Sequence, residues 1–204
     1  MIRYKFNGAS ATELTPKSLQ SAPVFILQVI QMRALSLFAE TRWSWLLLAV
    51  SALVLDLVAL YFQHVMLLEP CVKCIHERVA MFGIMFAGII GLLNPKSIYL
   101  RIAGYGLWLY SAIEGLRIAI SHVKLQFPSD NPFFDSCGMD PEFPSWAPLD
   151  YWLPEIFMPR GMCDEVQWEF LGYTMPQWLV VCFSVYIAIW LAVIASRLFS
   201  ARKP

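Results

Sequence analysis

The stretch Phe62-Gln63-His64-Val65-Met66-Leu67-Leu68-Glu69-Pro70-Cys71-Val72-Lys73-Cys74-Ile75-His76-Glu77-Arg78 is a short polar joint between two long apolar runs. Upstream, Trp43–Val65 is charged only at Asp56. Downstream, the run over residues 75–93 begins with His76, Glu77 and Arg78 and turns apolar from Val79. Crossing hydrocarbon takes about 20 apolar residues, so each run is long enough to span a membrane. Two further runs follow, at about 100–122 and 178–199. Residues 100–122 carry Glu114 and Arg117, and the last run is clean up to Arg197. The expected fold is an all-α membrane protein, a four-helix bundle with spans at about 43–65, 75–93, 100–122 and 178–199. A long loop covers about 124–176, and residues 32–204 form one domain.

The totals agree. The chain has 204 residues, 58% hydrophobic and 15% charged, which is too apolar for an ordinary soluble domain. Net charge is zero, so nothing points to a nucleic-acid partner. No cleavable signal peptide is visible, and the first span is expected to target the chain.

Lys and Arg set the orientation. Arg33 and Arg42 precede the first span, Lys96 and Arg101 flank the second turn, and Arg197, Arg202 and Lys203 close the chain. The other side has Lys73, Lys124 and Arg160. The positive-inside rule then places both termini and the 94–97 turn in the cytoplasm and both cysteine pairs outside. Two spans separate the pairs, so they share a side whichever way up the protein sits. The long loop is acidic and rich in Pro and aromatics. Its segment Trp146–Phe157 reads either as a short element in the membrane interface or as a loop folded on its own contacts.

Of five cysteines, Cys71, Cys74, Cys137 and Cys163 lie in or beside loops, which suits an oxidising compartment. Cys182 lies in an apolar run and reads as a small core residue. A CxxC brings two sulfurs within bridging reach and can make one unusually acidic. Cys74 opens the second helix, where N–H groups and the macrodipole favour a thiolate. Cys71, Cys74 and Arg78 follow i, i+3, i+7 and share one helix face. CxxC is also half a zinc site, but no second CxxC supplies the other half. Cys137 and Cys163 read as a structural disulfide or as an outer redox pair that exchanges with the CxxC. His122 is either an interfacial aromatic or a donor to a quinone carbonyl, and His64 and His76 are weaker candidates. Asp56, Glu114 and Arg117 are ionisable groups at membrane depth and so are functional candidates. Glu114 and Arg117 are expected to pair inside the bundle, with Asp56 protonated or paired to Arg117.

With these residues quoted, the chain resembles the bacterial disulfide bond formation protein DsbB family. The likeness rests on residues 62–78, on Trp108-Leu109-Tyr110-Ser111 and on Met175-Pro176-Gln177-Trp178-Leu179, and runs from about Ala34 onward. That a DsbA–DsbB–quinone relay keeps the periplasm oxidising is established chemistry. The resemblance implies an inner-membrane, quinone-dependent thiol oxidoreductase that reoxidises DsbA, a periplasmic thioredoxin-fold oxidase. Its electrons would pass to ubiquinone, or to menaquinone without oxygen. By position it implies Cys137 for the mixed disulfide with DsbA and Cys163 as its loop partner. Cys71 would exchange with the loop pair, Cys74 would be the thiolate facing the quinone, and Arg78 and His122 would contact the quinone. Residues 1–31 extend beyond the family's usual start and are expected to be a dispensable tail. Lys73 stands where the family often has an apolar residue, and should make the CxxC more acidic. The alternatives are a vitamin K epoxide reductase-like oxidoreductase and a CxxC metal-binding membrane protein.

Overall fold

The computed structural model describes residues 41–127, 137–138 and 141–201. The expected extension at 1–31, Arg33, Arg202 and Lys203, expected to be cytoplasmic, and the acids at 130, 135 and 140 lie outside them. Four long helices carry the chain: α1 (Arg42–His64), α2 (Val72–Leu93), α3 (Ile98–Gln126) and α6 (Met175–Ala201). Between α3 and α6 come two single-turn helices, α4 (Leu149–Trp152) and α5 (Pro154–Phe157). An antiparallel pair follows, β1 (Glu169–Phe170) with β2 (Tyr173–Thr174), joined through Leu171 and Gly172 at positive φ.

Local chemistry sets the helix ends. Cys71 is the extended N-cap of α2, and its side chain accepts from Cys74 N–H. Pro95 stops α2, because the residue before a proline is driven out of the α region. That residue, Asn94, is extended at φ −150° and ψ 90°. Pro176 sits in the first turn of α6, where its missing N–H costs little.

The hairpin α2–α3 is the centre of the bundle, with α1 packed on α2 and α6 on α3. Trp45, Leu48 and Ala52 of α1, Ile84 and Ala87 of α2, Trp108 and Ala112 of α3, and Phe183 and Tyr186 of α6 form one core. Small residues let the backbones approach, as is usual for helices packing in lipid. A Cβ on Gly88 would lie 2.7 Å from Ala49 N, and one on Gly115 would overlap the Phe183 ring.

Among the described residues, three helices are long and apolar enough to cross a membrane: α1, α2 and Met175–Leu198 of α6. Much of their apolar surface faces outward, including Leu47, Val54 and Leu57 on α1, Phe86 on α2 and Val185 and Ile189 on α6. A soluble protein rarely exposes so broad an apolar surface, and a bilayer covers it. The sequence reading expected four spans. The 29-residue α3 is long enough, but Arg101, Glu114, Arg117 and Lys124 make it too polar for that group.

Glu114 and Arg117 do pair, at 2.7 Å, yet not inside the bundle: the Arg117 side chain is 74% exposed. Asp56 is buried, and Arg117 is taken by Glu114; the charge that acts on Asp56 is Arg78 on α2. Cys182 is half-buried, packs against the core as expected and also lines a cavity.

Candidate functional site

The cavity lies between α1, α2, α3 and α6 at the end of the bundle that carries both cysteine pairs, and has a volume of about 330 Å³. Its walls are mainly apolar. The polar groups that reach it include Asp56 and Gln63 of α1, Cys74, Glu77 and Arg78 of α2, and His122 of α3. The sequence spacing put Cys71, Cys74 and Arg78 on one face, and all three line this cavity.

At the CxxC the two Sγ atoms are 2.9 Å apart, as a pair of free cysteines. Cys71 is buried and Cys74 is the more open of the two. The backbone N–H of Cys74 donates to Cys71 Sγ at 3.3 Å. The sequence argument gave the helix N-terminus to Cys74. The structure gives it to Cys71, because the helix starts one residue after Cys71 and the cap position receives the first free N–H groups. The Cys71 thiol is lowered to about 4: the hydrogen bond with the Cys74 side chain is the largest cause, burial opposes it, and His122 helps.

His122 stands between two partners. Its Nε2 is 3.5 Å from Cys71 Sγ and its Nδ1 is 3.1 Å from Glu77 Oε1. The imidazole and the Glu77 carboxyl are both buried. His122 was singled out for a quinone carbonyl; its neighbours here are a sulfur and a carboxyl group, although it also lines the cavity.

Arg78 ties the site to the loop. Its Nη1 donates to Gln63 Oε1 at 2.8 Å and to the Ile156 carbonyl, while Gln63 Nε2 donates to the Glu155 carbonyl at 2.8 Å. Two cavity-lining residues from different helices thus hold α5 against the bundle. Phe157 of α5 is buried against Phe82 of α2, with centroids 5.8 Å apart. Trp146, Tyr151 and Trp152 point outward. The aromatic segment therefore divides, with one end folded on the bundle and the other presenting rings to the surroundings.

Cys137 and Cys163 form a disulfide, with Cα atoms 5.9 Å apart. Cys163 is buried and Cys137 half-buried. The loop strand leading to Cys163 is docked next to the CxxC: Arg160 N–H and Gly161 N–H both donate to the Pro70 carbonyl, at 2.8 and 3.1 Å. A side chain at 161 would collide with the Glu69 carbonyl, so only glycine lets this strand lie so close. Both pairs are therefore at the same end of the bundle. Lys73 does not line the cavity.

Sequence reasoning missed Glu77 and Gln63 as parts of the site. Glu77 lies three residues after Cys74, a spacing that puts the two on adjoining helix positions. Gln63 is seven residues after Asp56, again on one face. Periodicity carried both signals, but a glutamate beside His76 and Arg78 also reads as a solvated helix start.

The sequence model described as "Disulfide bond formation protein DsbB" matches residues 41–193. The chain is 48% identical over 178 residues to disulfide bond formation protein B of Psychromonas ingrahamii, covering 87% of this chain and 95% of that protein. It is 50% identical over 167 residues to the Shewanella amazonensis protein of that name, covering 82% and 98%. The Sodalis glossinidius protein is 45% identical over 172 residues, covering 84% and 96%. With a CxxC at a helix cap, a docked loop disulfide and membrane-length helices, this chain belongs to the disulfide bond formation protein DsbB family, membrane proteins that form disulfides.

Proposed function

We propose that the chain is a four-span inner-membrane oxidase that reoxidises a periplasmic DsbA-like protein and delivers the electrons to ubiquinone, or to menaquinone without oxygen. In this reading α3 is the third span, its outward Glu114–Arg117 pair lowering the cost of its charges. Both termini are cytoplasmic and both cysteine pairs periplasmic. The observation that carries it is one site with two faces: the CxxC lines a largely apolar cavity while the loop segment leading to the Cys163 disulfide is docked on the residue before Cys71.

The cavity suits a quinone, having apolar walls and a few convergent polar groups. Among the described residues, Arg78 Nε and Asp56 Oδ2 are buried without a hydrogen-bond partner, so polar capacity remains for a ligand. Arg78, His122 and Cys74 are the residues that would hold it. When bound, the quinone supplies the two-electron oxidant that returns Cys71 and Cys74 to a disulfide.

The chain's own residues do the rest. A thiolate of the reduced partner attacks Cys137 Sγ, the Cys137–Cys163 bond breaks and Cys163 leaves as a thiolate. The partner's second thiol displaces Cys137, so the partner leaves oxidised and the loop pair holds two electrons. A loop thiolate then attacks Cys71 Sγ, the Cys71–Cys74 bond breaks, and closure of the loop disulfide releases Cys71. A loop disulfide beside a Cys71/Cys74 dithiol is the state this transfer would leave behind. Cys74 N–H and His122 stabilise the Cys71 thiolate, and Glu77 fixes the imidazole.

The test uses the full chain in detergent with excess ubiquinone and reduced DsbA, following quinone absorbance beside a Cys74→Ala control. Quinone loss that keeps pace with DsbA oxidation and vanishes in the control is expected. DsbA oxidation without quinone loss would refute the reading.

A further inference from the structure

Cys71 Sγ, Cys74 Sγ and His122 Nε2 all lie within 4.8 Å of one another, on two helices and a helix cap. Two thiols and an imidazole are a donor set suited to soft and borderline d10 cations. The ligand nitrogen is already oriented, because the other ring nitrogen of His122 bonds to buried Glu77 at 3.1 Å. A carboxylate behind a histidine is the arrangement that fixes tautomer and ring position in zinc sites. The donors also border the cavity, so a fourth position is open to solvent or ligand.

We propose that the dithiol form of this site binds one Zn2+ through Cys71, Cys74 and His122, and that the disulfide form does not. A tetrahedral Zn2+ with Zn–S of about 2.3 Å and Zn–N of about 2.0 Å sets S···S at about 3.8 Å and S···N at about 3.5 Å. The Cys71 Sγ···His122 Nε2 separation is 3.5 Å, and Cys74 Sγ lies within 4.8 Å of the imidazole donor. The sulfurs, 2.9 Å apart, need only move outward by a small side-chain rotation. A disulfide holds them at about 2.0 Å and uses the electron pairs the metal needs. Binding displaces the thiol protons and involves no electron transfer. Metal affinity is therefore gated by redox state, and a bound cation holds the CxxC reduced, acting as a reversible brake on turnover. This inference does not depend on the quinone.

The test uses the full chain in detergent, carrying Cys137→Ser and Cys163→Ser so that loop thiols do not compete. Co2+ is titrated into the anaerobic, reduced protein and into the same protein oxidised at Cys71–Cys74, and Zn2+ is then used to displace it. The expected result is one Co2+ per reduced chain, with a thiolate-to-cobalt band in the near ultraviolet, and affinity roughly 100-fold or more weaker after oxidation. Glu77→Gln should weaken binding by about 10-fold without removing a ligand. No thiolate band in the reduced protein overturns the proposal. So does equal affinity in the two redox forms, or a band that survives Cys71→Ser and His122→Ala together. The two redox forms are one polypeptide, so misfolding cannot imitate the expected difference. The assay contains neither quinone nor protein thiol, so its failure and that of the oxidase reading are separate outcomes.

Discussion

The inner and outer cysteine pairs are held by different means. Cys71 and Cys74 belong to the cap and first turn of a long helix, with a backbone N–H, an imidazole and a carboxyl arranged around one sulfur. Cys163 follows a loop segment whose Arg160 and Gly161 N–H groups bond to the Pro70 carbonyl, with α5 upstream held by Gln63 and Arg78, and Cys137 is joined to it by the disulfide. The inner pair is tuned and the outer pair is tethered. The tuned pair must keep one geometry toward the cavity. In the proposed relay the tethered pair must meet a partner protein and the CxxC in turn, which a rigid mount would hinder.

Breaking either pair should separate their roles. Cys74→Ala should lower quinone-coupled turnover by roughly 1000-fold or more, since a covalent step is lost outright. Cys137→Ala should do the same with reduced DsbA as donor, yet leave quinone reduction by a small dithiol that can reach the CxxC. If the small dithiol fails too, the division of labour is wrong.

Arg78 belongs to both regions, and Arg78→Ala should show it. Losing charged hydrogen bonds worth about 1.5–3 kcal/mol each should raise the quinone KM by roughly 10- to 100-fold. The same change releases α5 from the Ile156 contact, so limited proteolysis near 153–158 should speed up. Gly161→Ala addresses the tether alone. Its Cβ meets the Glu69 carbonyl, and overpacking of this kind costs about 1–3 kcal/mol. Single-turnover transfer from the loop pair to the CxxC should slow, while quinone KM stays as it was.

The smallest effect concerns protons. Because the Cys71 thiol is lowered to about 4, its thiolate should be present at neutral pH and be lost only as the pH falls through that value. Thiolate absorbance of the reduced protein, followed from pH 8 down to pH 3, reads this directly. Cys74→Ala removes the largest cause, so the transition should move upward, toward the ordinary thiol value of about 8.5. An unmoved transition would assign the lowering to His122 instead.

Much of this molecule is legible in its residues. Apolar runs of spanning length, Pro95 as a stop, and the CxxC at the start of a helix follow from short-range rules: side-chain hydrophobicity, proline sterics and the 3.6-residue period. The same period put Cys71, Cys74 and Arg78 together, and counting spans put both pairs at one end. Local rules do not say what lies across the space between helices. Only the tertiary structure places Glu77 behind His122, sets Gln63 and Arg78 beneath α5, turns the Glu114–Arg117 pair outward and lays Gly161 against Glu69 and Pro70. It also moves the capping sulfur from Cys74 to Cys71, a three-residue shift in where the helix begins. Those arrangements depend on how four helices rotate against one another, and rotation is decided by close packing at contacts such as Gly88 on Ala49 and Gly115 on Phe183.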